Sequence, residues 1–357
     1  MSLTPRENLL SLWRRRGFEW APAHFDLCPL QYERFQKKYG KDSNYLDTFA
    51  FPMRYLSSNF LSAAEQDWSR YYPGQQFADG TSFSLWGIAN EPAPGSLHMT
   101  RMHHPMQNFN SLEQFQSYPY PEFNPADAKG AAEEVQALHK RGLAAAAGMA
   151  CTVWEIAWYL RGMETLMLDL MSEDPLAYYH LERLTDLACC RVQAFAAAGV
   201  DIICLGDDIG MQKTLMFAPE KYRLWLKPRL TRIIHSAKAV NPDLLITYHS
   251  CGFVTPLIPD LIEAGIDVLN PVQPECMSFT EIHRNFGQVL SFWGTLGTQT
   301  TMPFGTAENV RQRTLDNLNT AGSPGGLLCS PTHMIEPEVP WENIEAYLQA
   351  LKDFSNG

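Results

Sequence analysis

The chain has 357 residues, 45% of them hydrophobic and 19% charged, an ordinary globular balance with enough apolar material for one large core. Its formal net charge of -11 and isoelectric point of ≈ 5.4 argue against nucleic acid or an anionic membrane as the main partner. The eight cysteines are scattered, with no secretory leader ahead of them, so a reduced, cytoplasmic setting is expected rather than a disulfide framework.

The first sixteen residues read as a helix. Thr4 is a candidate N-cap, Pro5 suits the first turn, and Glu7 completes a capping-box spacing. Residues 18–25 are apolar and aromatic enough for a strand ending near His24 and Asp26, and 30–75 mix aromatics with charges in short helices. A strand is expected at 81–89. Residues 90–125, rich in Pro, His, Asn and Tyr, form a long excursion that Phe109, Phe115, Tyr118, Tyr120 and Phe123 should keep ordered. A helix at 126–141 follows. Residues 142–160 are rich in alanine and aromatics, but Gly148 and Glu155 interrupt them, so a strand and a buried helix fit better than a membrane span.

From there the pattern is regular. A strand at 143–149 precedes a helix at 152–171; Asp174-Pro175 opens another, which closes at Gly199. Ala198-Gly199-Val200-Asp201-Ile202-Ile203 recurs as Ala264-Gly265-Ile266-Asp267-Val268-Leu269, each a helix end, a glycine stop and an apolar strand. Strands at 202–205, 244–248, 266–269, 289–293 and 326–329 alternate with helices at about 219–239, 256–264, 279–285, 306–320 and 341–353. With the strands near 18–25, 81–89 and 143–149 the count reaches eight. No Gly-x-Gly-x-x-Gly follows the early strands, which disfavours a dinucleotide-binding sheet. The expected fold is an α/β (β/α)8 TIM barrel with an elaborated N-terminal region, one domain over 1–357, its chemistry at the C-terminal strand ends.

At those ends stands His249-Ser250-Cys251, answered by Cys329 after a second β-rich run. Residues two apart on a strand face the same way, so His249 and Cys251 are able to share one point. One imidazole and two thiolates make a soft three-ligand set suited to zinc with an open fourth position; the plainer reading of any single buried cysteine is core packing. Asp207-Asp208, after Gly206, invites either a general acid/base role or a turn-capping one. Glu275 is a candidate fourth zinc ligand or a solvated loop carboxylate. His333 reads as a loop hydrogen-bonding residue. The set suits metal chemistry on a small or medium substrate better than phosphate binding.

These residues give the chain a resemblance to the uroporphyrinogen decarboxylase superfamily, closest to its methylcobamide-dependent methyltransferase branch. Thr4-Pro5-Arg6-Glu7-Asn8, His104-Pro105-Met106, Ala198-Gly199-Val200-Asp201, Gly206-Asp207-Asp208, His249-Ser250-Cys251-Gly252, Gly294-Thr295 and Gly325-Gly326 through Cys329 carry it. The resemblance implies zinc on His249, Cys251 and Cys329. It further implies a small thiol or related acceptor activated by that zinc, and a methylated corrinoid as co-substrate on a separate corrinoid carrier protein. The decarboxylase branch is the alternative. It carries an arginine-rich stretch where this chain has Ala21-Pro22-Ala23-His24-Phe25-Asp26, with no arginine. A non-catalytic corrinoid- or zinc-binding accessory protein ranks last, because the Asp-x-His-x-x-Gly motif of corrinoid carriers is missing. Sequence leaves the oligomeric state open, a homodimer included.

Overall fold

The computed structural model describes residues 2–93, 95 and 99–356. Seven parallel strands curl into a TIM-barrel-like sheet, here β1 (Met53–Tyr55), β2 (Ala144–Ala150), β3 (Ile202–Gly206), β4 (Leu245–His249), β5 (Val268–Asn270), β6 (Ser291–Trp293) and β7 (Leu327–Leu328), hydrogen-bonded in that order. Alternation along each strand sorts the side chains into two cores. Met53, Ala144, Ala146, Ile202, Cys204, Leu245, Val268, Trp293 and Leu328 fill the barrel interior, and a second, larger cluster fills the space between sheet and helices.

The helix Pro5–Trp13 closes the floor of the interior with Leu9, Leu12 and Trp13, the last with its ring centroid 5.8 Å from that of Trp293. Its start is as expected: the Thr4 hydroxyl accepts from Glu7 N (3.2 Å) and Glu7 accepts from Thr4 N (2.8 Å), so two end amides of the helix are satisfied reciprocally. The helix Pro175–Ala198 ends at Gly199 in the left-handed conformation.

Several expectations need correction. Residues 81–89 lie outside the barrel. Ser82–Phe83, Ala89–Pro92 and Thr100–His103 make a small antiparallel sheet that leads into the excursion, whose aromatics pack in order as anticipated. The barrel strand missed from sequence is β1, three residues long and too short to show a period. Residues 18–25 form no strand. The chain bends at Glu19 and Trp20, Leu27 just beyond bridges to Ile335, and His24 and Phe25 plug the space beside Phe51 and Trp293. The helix expected at 152–171 is two, Trp154–Arg161 and Met163–Met171, broken at Gly162 (φ 84). That at 219–239 is also two, Pro219–Trp225 and Lys227–Val240, because Pro228 has no amide hydrogen to continue the ladder. No helix among the described residues is long and apolar enough to cross a membrane.

Candidate metal centre

Register lines up the end residues of three adjacent strands, Gly206 beside His249 and His249 beside Asn270. His249 follows Leu245 and Thr247 on the interior face of β4. A side chain at 206 would put its Cβ 2.7 Å from His249 Cβ, so the glycine makes room for the imidazole. Asn270 then orients it. The Asn270 amide donates to Trp293 O (2.8 Å), which leaves its oxygen to accept from His249 Nδ1 (2.6 Å). The proton is thereby held on Nδ1, and Nε2 presents its lone pair to the barrel mouth.

Cys251 Sγ lies 3.5 Å from that Nε2, and Asp208 Oδ1 lies 3.8 Å from it while accepting from Cys251 N at 2.7 Å. Donor atoms of Asp208, His249 and Cys251 all lie within 4.8 Å of one another. This imidazole, thiol and carboxylate set fits zinc. Burial and the nearby Asp208 and Glu155 carboxylates push the Cys251 thiol up to about 12, so a thiolate here at neutral pH calls for a cation beside it.

The two aspartates divide their tasks. Asp207 is buried and accepts from Val153 N (3.1 Å) and Glu155 N (2.9 Å), anchoring the start of the helix Trp154–Arg161. Burial and Glu155 push its carboxyl up to about 8 against the pull of those amides. Asp207 thus takes the structural role that sequence left open beside acid/base work, and Asp208 faces the donor cluster. Glu155 is held up by burial and by Asp208, and accepts from the Tyr159 hydroxyl (2.8 Å) and Asp208 N (3.2 Å).

Cys329 and Glu275 stand apart from the cluster. Strand alternation sends Leu328 into the barrel and Cys329 to the helix side, where its buried thiol lies 3.6 Å from Thr295 Oγ1 and burial raises it to about 12. Glu275 accepts from the Thr300 hydroxyl (2.7 Å), and its second oxygen is buried without a partner. His333 instead faces the cluster, its ring centroid 6.3 Å from that of His249, with burial and His249 lowering its pKa. Sequence reading missed Tyr55, carried by the unrecognised β1, and the orienting role of Asn270.

Two chambers meet here. An inner one of ≈ 270 Å³ includes His24, Asp26, Tyr55, Cys204, His249, Asn270 and Trp293 in its wall. An outer one of ≈ 570 Å³ has Met211, Cys251, Gln273 and Phe304 in its wall. Thr332, His333 and Met334 border both, and neither wall has an arginine or lysine among the described residues.

Among curated proteins the chain is similar to a methylated-thiol–coenzyme M methyltransferase of Methanosarcina mazei, 26% identical over 204 residues, 56% of this chain and 50% of that protein. A uroporphyrinogen decarboxylase of Microcystis aeruginosa is 20% identical over 184 residues, 52% of this chain and 50% of that protein. The chain thus spans about half the length of the curated relatives it matches. Among solved structures, a methyltransferase from Methanosarcina mazei superposes with a TM-score of 0.67 over 99% of both chains at 16% identity, a likeness of fold. The sequence profile of the uroporphyrinogen decarboxylase family matches residues 98–354, which carry β2 to β7 and the whole His249 cluster, and the chain belongs to that family.

Proposed function

We propose that the protein is a zinc-dependent methyltransferase, moving a methyl group between a corrinoid on a separate carrier protein and a thiol or related acceptor. The observation that carries this reading is the Asp208–His249–Cys251 donor set at the barrel mouth, opening on two chambers. The methyltransferase relative supports the reaction class. Zinc bound there supplies Lewis acidity that lowers an acceptor thiol's pKa, so a nucleophile exists at neutral pH without a side-chain base.

The chain's own residues do the rest. Asn270 fixes the His249 tautomer, Gly206 keeps the imidazole in place, and the Cys251 amide holds the Asp208 carboxylate. His333 faces the donors from the opposite loop, and in this reading it takes the place expected of Cys329. The outer chamber suits the bulky corrinoid and the inner one the small acceptor. Walls without arginine or lysine are a poor fit for a tetrapyrrole bearing many carboxylates, which disfavours decarboxylation.

The test is the metal content of protein purified without added metal, followed by methylcobalamin demethylation by thiols. About one zinc per chain is expected, lost in His249→Ala, weakened in His333→Ala and kept in Cys329→Ser. Absence of zinc from the wild type, together with turnover of a carboxylated tetrapyrrole, overturns the proposal in favour of the decarboxylase.

A further inference from the structure

The inner chamber has a chemical character of its own. At ≈ 270 Å³ it sits just below the range of roughly 300–1,000 Å³ usual for small-molecule pockets, so its ligand is small. Its aromatic surface comes from Tyr55, Trp293, Phe25 and His24. Tyr55 stands inside the mouth with 44% of its surface open, a ring available for contact. His24 is 6% exposed, yet its ring nitrogens have no hydrogen-bond partner among the described residues, and burial lowers its pKa to about 4, so it lines the chamber as a neutral imidazole.

Among the described residues, the sole fixed charge in the wall outside the metal cluster is negative. Asp26 stands at the lip, its carboxylate without a hydrogen bond or ion pair among the described residues; its backbone oxygen alone is engaged, by Ile335 N at 2.8 Å. Arg54, the cation whose field reaches His24, points to the helix side and is committed to Asp47 and to the Phe51 and Met53 carbonyls. A zinc(II) held by a Cys251 thiolate and the Asp208 carboxylate would add no net charge. Aromatic faces with one unpaired carboxylate form the wall by which proteins hold ammonium and other onium groups, and an anionic ligand would meet repulsion with no compensating cation.

We propose that the inner chamber selects a small organic cation, an ammonium-bearing thiol or a methylated onium compound, with its positive centre between Asp26 and the Tyr55 and Trp293 rings. The inference deepens the methyltransferase reading by naming the charge class of its small substrate, although the chamber is testable without turnover.

Binding is measured by calorimetry on the purified full chain with matched probes. Choline is set against its neutral isostere 3,3-dimethylbutan-1-ol, and cysteamine against propane-1-thiol, with 2-mercaptoethanesulfonate as the anionic thiol. The cation is expected to bind about tenfold or more tighter than its isostere. Which pair shows the preference separates an onium ligand from an aminothiol. Asp26→Asn, an exposed change that leaves the backbone contact intact, should erase the preference; unchanged zinc content and melting temperature show that the site survives. Equal binding of cation and isostere, tighter binding of the sulfonate, or a preference that persists in Asp26→Asn overturns the inference. Zinc present without cation selectivity sinks this inference and leaves the metal reading standing, and cation selectivity without zinc does the reverse.

Discussion

Replacing Asn270 with alanine isolates the orienting bond of the site. The substitution removes the acceptor 2.6 Å from His249 Nδ1 and the donor 2.8 Å from Trp293 O, in a residue only 9% exposed. The Trp293 carbonyl loses a buried partner, which costs about 1–3 kcal/mol of stability. The imidazole, free to rotate and to change tautomer, should lose metal affinity by about 10–100-fold, as for other ligand-orienting residues, or about 1.4–2.8 kcal/mol. Zinc affinity is read by competition with a chromophoric chelator, and stability separately by urea unfolding. Asn270→Asp keeps an acceptor at Nδ1 and should recover most of the affinity. Wild-type zinc affinity in a folded Asn270→Ala protein would refute the orienting role and with it the assignment of Nε2 as the donor.

Gly206→Ala places a Cβ against His249 at 2.7 Å; the strand should remain folded while zinc content falls, and metal analysis beside circular dichroism checks both. The Asp207 carboxyl is raised to about 8 in the folded chain, so between its ordinary range and pH 8 the folded state binds the extra proton. Stability attributable to Asp207 is therefore full at low pH and declines as pH rises towards 8, a slope that Asp207→Asn should flatten in urea titrations at pH 5 and pH 8. Trp13→Ala empties the barrel floor, where the indole is 1% exposed and packs on Trp293. It should cost about 3–5 kcal/mol, visible as a lower urea midpoint with zinc stoichiometry unchanged in the protein that remains folded.

The βα repeat was legible because glycine stops and apolar runs leave a strong trace, as at Ala198–Ile203 and Ala264–Leu269. The short β1 left none: Met53–Tyr55 earns its place by pairing with Ala144, Ala145 and Ala146, a relation invisible to local pattern. Alternation found His249 and Cys251, since both follow the phase of β4. The phase of the last strand was not legible in the same way: there Leu328 faces the barrel and Cys329 the helix side, while His333 comes near His249 by way of a loop. Asp207 and Asp208 are indistinguishable as neighbours in sequence. Only the position of the Val153 and Glu155 amides makes one structural and frees the other for the cluster.

The seam between β7 and β1 also bears on how the protein is made. Residues 20–27 fill it with contacts to the far end of the chain: Ala21 N donates to Ser355 Oγ and His24 N to Tyr347 Oη, across 334 and 323 residues. Such high-separation contacts carry the greatest loop-closure cost and form late. During synthesis the Ala21 and His24 amides therefore wait for these partners until the helix Trp341–Asn356 has emerged.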